Sequence, residues 1–410
     1  MLPVNIRVFS IPVPLVLLLL AACATPSHRS ASGTRIATAD LIQAQNLAVE
    51  RGIPETLRRD FVALHSEGRQ NSVLHAMRLG MGAWRLGRLD LAREAWDRAI
   101  SEVEALQEGT RQAERSKSKF VGEREKWFKG ESHERAALYL YRGLLYLQEG
   151  DAGNASACFK RAQIQDITGD DQPGFSGDWF SAEWALALAS ILQGFPEDAE
   201  VARRRATAFS TAGEPHPWPE PPFYGLIVVE AGSAPAKRRA GQYGEKLIYS
   251  DWPTRVDRVR LVGSPSLETA RSEDLYLQAT TRGRRVVDHI LDGKASFKED
   301  TAVATLGLFG AAAVASQREE TGIAAGVLAL AALGTAIASS ATNPEADIRA
   351  WDNLPHSVFL IAPTVPDPWV IEALDRSGQV MNQVRVDGVK NGQATADAKK
   401  LPVALVRFSE

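Results

Sequence analysis

Residues Lys126 to Ala162 read KWFKGESHERAALYLYRGLLYLQEGDAGNASACFKRA, and this stretch decides the fold. Apolar residues recur at three- and four-residue spacing on either side of Gly150, which predicts two helices packed back to back around a tight turn. Small residues at Gly143, Ala155 and Ala162 let the two backbones approach. Tyr139, Tyr146 and Phe159 then fill the gaps between them.

An earlier stretch repeats the arrangement, with Leu79, Gly80, Ala83, Gly87, Leu89, Ala92, Trp96 and Ala99 at matching offsets and the turn at Gly87-Arg88. Both sets fall where a tetratricopeptide (TPR) unit places its packing residues. Gly80, Ala92, Trp96, Gly143, Tyr146 and Phe159 are therefore the expected repeat-packing positions. A third pair, 179–206, keeps Ala199 and Ala206 but has Arg203 where an aromatic is expected, which suits a terminal, capping unit. Turn glycines at 87, 150 and 194 are unevenly spaced, so no regular superhelix is expected. Helices over 38–51 and 53–64, broken at Gly52, open this TPR-like region, which spans 38–213. Its concave surface is the expected seat for a segment of another protein.

The N-terminus carries Arg7, an apolar run from Ile11 to Leu20, and then Leu20-Ala21-Ala22-Cys23. Charge, short apolar run and small residues in that order make an export signal over 1–22, too short to span a bilayer as a mature helix. The closing cysteine resembles the bacterial lipobox, which implies acylation of Cys23, and the absence of aspartate at Ala24 favours the outer membrane, facing the periplasm. Residues 23–37, rich in Ser, Ala and Thr, then form a flexible tether. Cys158 is the one other cysteine, so no disulfide partner remains within the chain, and it reads as a small core residue.

His216-Pro217-Trp218-Pro219-Glu220-Pro221-Pro222 ends the helical region. Beyond it a mixed β/α segment, 214–300, begins with strands over 223–230, 246–249, 256–262 and 275–279 and turns helical from Arg282. An Ala/Gly-rich apolar pair over 301–342 reads as a helical hairpin, either packed within the domain or inserted in a membrane or between copies. A β-sandwich-like region, 343–410, closes the chain with strands at 357–361, 369–374, 380–386 and 403–408. The fold class is α+β.

A formal charge of −3 over 410 residues gives no basic field for nucleic acid. The seven histidines show no paired metal spacing, and neither a nucleophile elbow nor a phosphate-cradling or dinucleotide glycine loop is present. The acidic loop at Asp166, Asp170 and Asp171 lacks the ligand alternation of a calcium loop. Asp288, His289 and Asp292 do not share one helical face, so no catalytic set, metal or cofactor is expected. The charged stretch 108–125 reads as a solvated helix.

Phe128 to Ala136 (FKGESHERA), Val228 to Arg238 (VVEAGSAPAKR) and Ala346 to Pro355 (ADIRAWDNLP) together resemble a family of uncharacterised bacterial lipoproteins with a TPR-like region and a C-terminal domain of unassigned function. Ile348 and Ala350 stand where that family's pattern has hydroxyl residues. The resemblance implies an envelope assembly partner and no chemistry. Asp347, Arg349 and Trp351 read as a ligand contact or as a structural clamp between the hairpin and the sandwich, and Glu230 with Lys237 as an ion pair across the Gly232 turn or a second contact.

The leading expectation is a non-enzymatic, lipid-anchored adaptor that binds an envelope protein through its TPR-like helices. Two alternatives stand beside it: a membrane-inserting or self-associating subunit that uses 301–342, and an envelope enzyme whose residues cannot be named.

Overall fold

A computed structural model of the chain describes residues 27–29, 35–107, 126–167, 177–210, 214–263, 265–281, 295–296, 298–300, 345–387 and 401–408. Cys23 and its signal, the stretch 108–125, Asp170 and Asp171, the Asp288, His289 and Asp292 group and the apolar pair 301–342 lie outside these residues. The chain divides into two compact units, 1–68 and 69–410, so the break at Gly68 falls inside the helical stretch 38–213.

In the first unit, strands β1 (Ser27–Arg29) and β2 (Arg35–Ala37) pair antiparallel. Helices α1 (Thr38–Glu50) and α2 (Glu55–Ser66) pack on each other. Gly52, at φ +58, makes the reversal between them, and Ala44, Ala48, Leu57, Phe61 and Leu64 are buried.

The larger unit opens with helix pairs α3 (Ser72–Arg85) and α4 (Leu89–Gln107), α5 (Ser132–Glu149) and α6 (Ala152–Ile167), and α7 (Phe180–Leu192) and α8 (Pro196–Phe209). Gly87, Gly150 and Gly194 take positive φ at the three turns, a conformation that costs glycine nothing. Two pairs close in the same way. A methyl group added to Gly80 would overlap the Trp96 indole, and one added to Gly143 would overlap the Phe159 ring. In the third pair Arg203 leaves the helix contact and lies over Trp218 at 5.7 Å, while Ala199, Ala202 and Ala206 make the buried side of α8. Tyr146 is half-buried beneath the Arg142 guanidinium, 3.5 Å from its ring, and Ala92 is fully buried.

Two four-stranded sheets follow. One has the order β12 (Val403–Phe408), β3 (Leu226–Ala231), β9 (Ser357–Ile361), β8 (Glu273–Asp274). The other has the order β11 (Val380–Val386), β10 (Trp369–Leu374), β6 (Arg258–Leu261), β7 (Leu267–Ala270). Strands β4 (Ala236–Ala240) and β5 (Lys246–Ser250) form a separate antiparallel ribbon. Ile227, Val229 and Ala231 of β3 meet Val259, Ile371, Phe359 and Val406 in one apolar core between the sheets.

This architecture corrects two expectations. The sandwich is not a C-terminal module, because each sheet takes strands from both 214–300 and 343–410, and β12 lies parallel to β3. Residues 275–279 are not a strand but part of helix α9 (Leu275–Thr280), because the Asp274 carboxylate accepts the N–H groups of Tyr276 and Leu277 and starts a helix there.

Because side chains alternate across a strand, Val228 and Glu230 face away from the inter-sheet core. There they meet the helices: Glu230 accepts from Tyr141 on α5 and Arg85 on α3. Helices α3, α5 and α7 are buried nearly all round, whereas α4, α6 and α8 keep an exposed face. Helices α3 and α5 thus each turn one side toward β3.

Candidate functional site

The three stretches FKGESHERA, VVEAGSAPAKR and ADIRAWDNLP converge at the junction of helices and strands. Helix α5 begins with a capping box in which Glu131 accepts from the third helical N–H, and Glu134 accepts the Glu131 N–H at 2.7 Å. That cap turns the Glu134 carboxylate inward, where it is fully buried. Lys237 of β4 donates to its Oε2 at 2.9 Å, and the Trp351 N–H donates to its Oε1 at 2.8 Å. Lys237 also donates to the Arg349 carbonyl at 2.8 Å, with Glu131 3.7 Å away.

Arg349 sits beside this pair. Its guanidinium forks onto Asp347 at 2.7–3.0 Å and donates to Asn71 Oδ1 at 2.8 Å and to the Lys126 carbonyl at 3.0 Å. The Phe128 ring carries both cations on its faces, Arg349 at 5.4 Å and Lys237 at 5.7 Å. Trp351, buried, reaches Tyr141 at 6.4 Å, and Tyr141 continues to Trp84 at 5.4 Å and Trp96 at 6.1 Å. Burial alone would push the Glu134 carboxyl upward, but the Lys237 and His133 charges outweigh it, and the carboxyl is held below its ordinary range.

Asp347, Arg349 and Trp351 therefore come together, and Lys237 joins them. The clamp they make runs from 347–351 to the helices and β4. Glu230 is elsewhere, and the expected Glu230–Lys237 ion pair does not exist: β3 and β4 do not pair, and Glu230 points at the helices. It holds Arg85 at 2.7 Å and accepts from Tyr141 at 2.9 Å. Burial first, and then the Glu230 charge, raises the Tyr141 hydroxyl far above its ordinary range. Sequence reasoning missed Glu134, Arg85, Tyr141 and Asn71. Glu131 and Glu134 at capping-box spacing ahead of an apolar run were a readable signal for the first of these; nothing local marks the others.

A second buried cluster was also missed. Glu273 accepts from the Ser181 N–H and hydroxyl at the start of α7, and Gln278 bridges Glu273 and Asp178 at 2.9 and 3.0 Å. Burial, with Asp178 nearby, raises the Glu273 carboxyl well above its ordinary 4.5, and burial raises Asp178 as well. A raised carboxyl contributes stability in full below its unfolded-state pKa and loses it as pH rises through the folded-state value. Replacing Glu273→Gln is expected to gain on wild type by up to about 1.4 kcal/mol per pH unit above that ordinary value, read from urea midpoints at pH 5 and pH 7.

Cys158 is a half-buried free thiol, and burial pushes it up to about 12, which leaves almost no thiolate at neutral pH. Among the described residues no group of three or more His, Cys, Asp and Glu is placed to hold a metal ion, and no helix is long and apolar enough to cross a membrane. The clamp's charges pair with one another, Lys237 with Glu134 and Arg349 with Asp347. No protein-family model, curated protein or solved structure matches the chain.

Proposed function

We propose that the chain is a lipid-anchored adaptor of the bacterial envelope, held at the outer membrane by acylated Cys23 and facing the periplasm. Its helix pairs act as TPR-like units that bind another envelope protein through their outward side rather than a concave one. One observation carries this reading. Helices α3, α5 and α7 are buried nearly all round within the chain, while Ile164 and Ile167, three residues apart on α6, stay 44% and 54% exposed. Two exposed isoleucines one helical turn apart support a contact surface on α6.

A photoreactive benzophenone side chain at position 164 or 167 of the full chain tests it in intact cells. Capture of one and the same envelope protein from both positions, abolished by aspartate at the other position, is the expected result. Adducts with many unrelated proteins, or none, would contradict it.

A further inference from the structure

The β4–β5 ribbon has one face turned away from the body of the larger unit. Its register sets Arg238 opposite Ile248 and Ala240 opposite Lys246, and Arg238, Lys246 and Ile248 are exposed. Two residues past the end of β5, Trp252 is 55% exposed, and on α9, which lies against β5, Leu277 is 45% exposed. Asp251 and Tyr276, the residues next to Trp252 and Leu277 in the chain, both meet His356, whose Nε2 bonds Asp251 at 3.1 Å and whose ring stacks on Tyr276.

The outward positions of the ribbon carry two cations, Arg238 and Lys246. Among the described residues the side chains of Arg238 and Lys246 enter no hydrogen bond or ion pair, and the two acids of the ribbon and its exit have partners of their own. Glu245 accepts the Tyr243 N–H and Asp251 is held by His356. An exposed tryptophan and two exposed aliphatic side chains, flanked by two unpaired cations, match the zone where lipid headgroups meet acyl chains. An anionic headgroup layer supplies the counter-charge that the Arg238 and Lys246 side chains lack within the chain.

We propose that the outward face of the β4–β5 ribbon, with Trp252 and Leu277, rests on an anionic phospholipid surface and so fixes the orientation of the larger unit on the membrane. This goes beyond the adaptor reading and draws on it only for the nearness of a membrane.

The test uses the full chain, reconstituted in vesicles of phosphatidylethanolamine and phosphatidylglycerol, with a benzophenone side chain at position 252 and, separately, at 277. Irradiation is expected to attach phospholipid to the peptides carrying both positions. The yield should fall about tenfold or more when Arg238→Glu and Lys246→Glu are combined, and likewise in vesicles of phosphatidylcholine alone. Lipid-free peptides at both positions, or capture of a protein or a second copy at position 252 in intact cells, would overturn the proposal. The mass of the Cys23 peptide reports acylation in the same sample. Capture from position 164 reports the adaptor contact, so loss of either reading is separable from loss of this one.

Discussion

Glu134→Ala is expected to destabilise the 69–410 unit by about 3–5 kcal/mol, measured as the shift in urea-unfolding free energy at neutral pH. The size follows from what stays behind. Lys237 is 2% exposed in its side chain and would be left in a dry site with Glu131 as its remaining acid, 3.7 Å away. The N–H groups of Glu131 and Trp351 lose their acceptor as well. Removing both charges at once, with Glu134→Leu and Lys237→Met, should recover much of the loss, because the unpaired ion and not the missing pair carries the penalty. The pH sign is also fixed. A carboxyl held below its ordinary 4.5 contributes stability above that value and loses it as pH falls through the folded-state pKa. The acid limb of the stability profile should therefore be shallower in the double variant.

Glu230→Ala should cost a similar amount, about 3–5 kcal/mol, through a different junction. Glu230 is 0% exposed and is the point at which β3 grips both α3 and α5. Its loss leaves Arg85 facing the Arg407 guanidinium, whose positive charge burial and Arg85 already disfavour. Glu230→Gln keeps the oxygen that accepts from Tyr141 and is expected to cost less, about 1–3 kcal/mol. Equal losses for Ala and Gln would mean that charge alone matters here and that the Tyr141 hydrogen bond contributes nothing.

The helices and several strands were legible because their signals are local. Small residues at Gly80 and Gly143, sixteen positions ahead of Trp96 and Phe159, announce close helix pairs, and the strands from Ser357 onward alternate or run apolar between turn residues. The Leu275–Ala279 stretch misled because its apolar spacing suits a short strand, and the decisive residue, Asp274, acts from just outside it. Sheet assembly was not legible. The parallel pairing of β12 with β3 joins residues far apart in sequence, and no local pattern encodes such an adjacency.

The site shows the same division. Asp347, Arg349 and Trp351 were found because an acid, a base and an aromatic at alternate positions form one face of an extended chain. Glu230 and Lys237 were found and then misassigned to each other, because nearness in sequence was the available guide. Their actual partners, Arg85 and Glu134, lie on helices more than a hundred residues upstream.

That helices and strands of the larger unit are one body is the claim on which the rest depends, and native-state hydrogen exchange at rising denaturant tests it most directly. If the buried junction locks them, the amides of α5 and of β3 and β9 open in one cooperative event with a single free energy and a single denaturant dependence. Exchange of β3 and β9 while α5 stays protected would show two independent modules. It would also return the inner helix faces to the list of surfaces open to a partner.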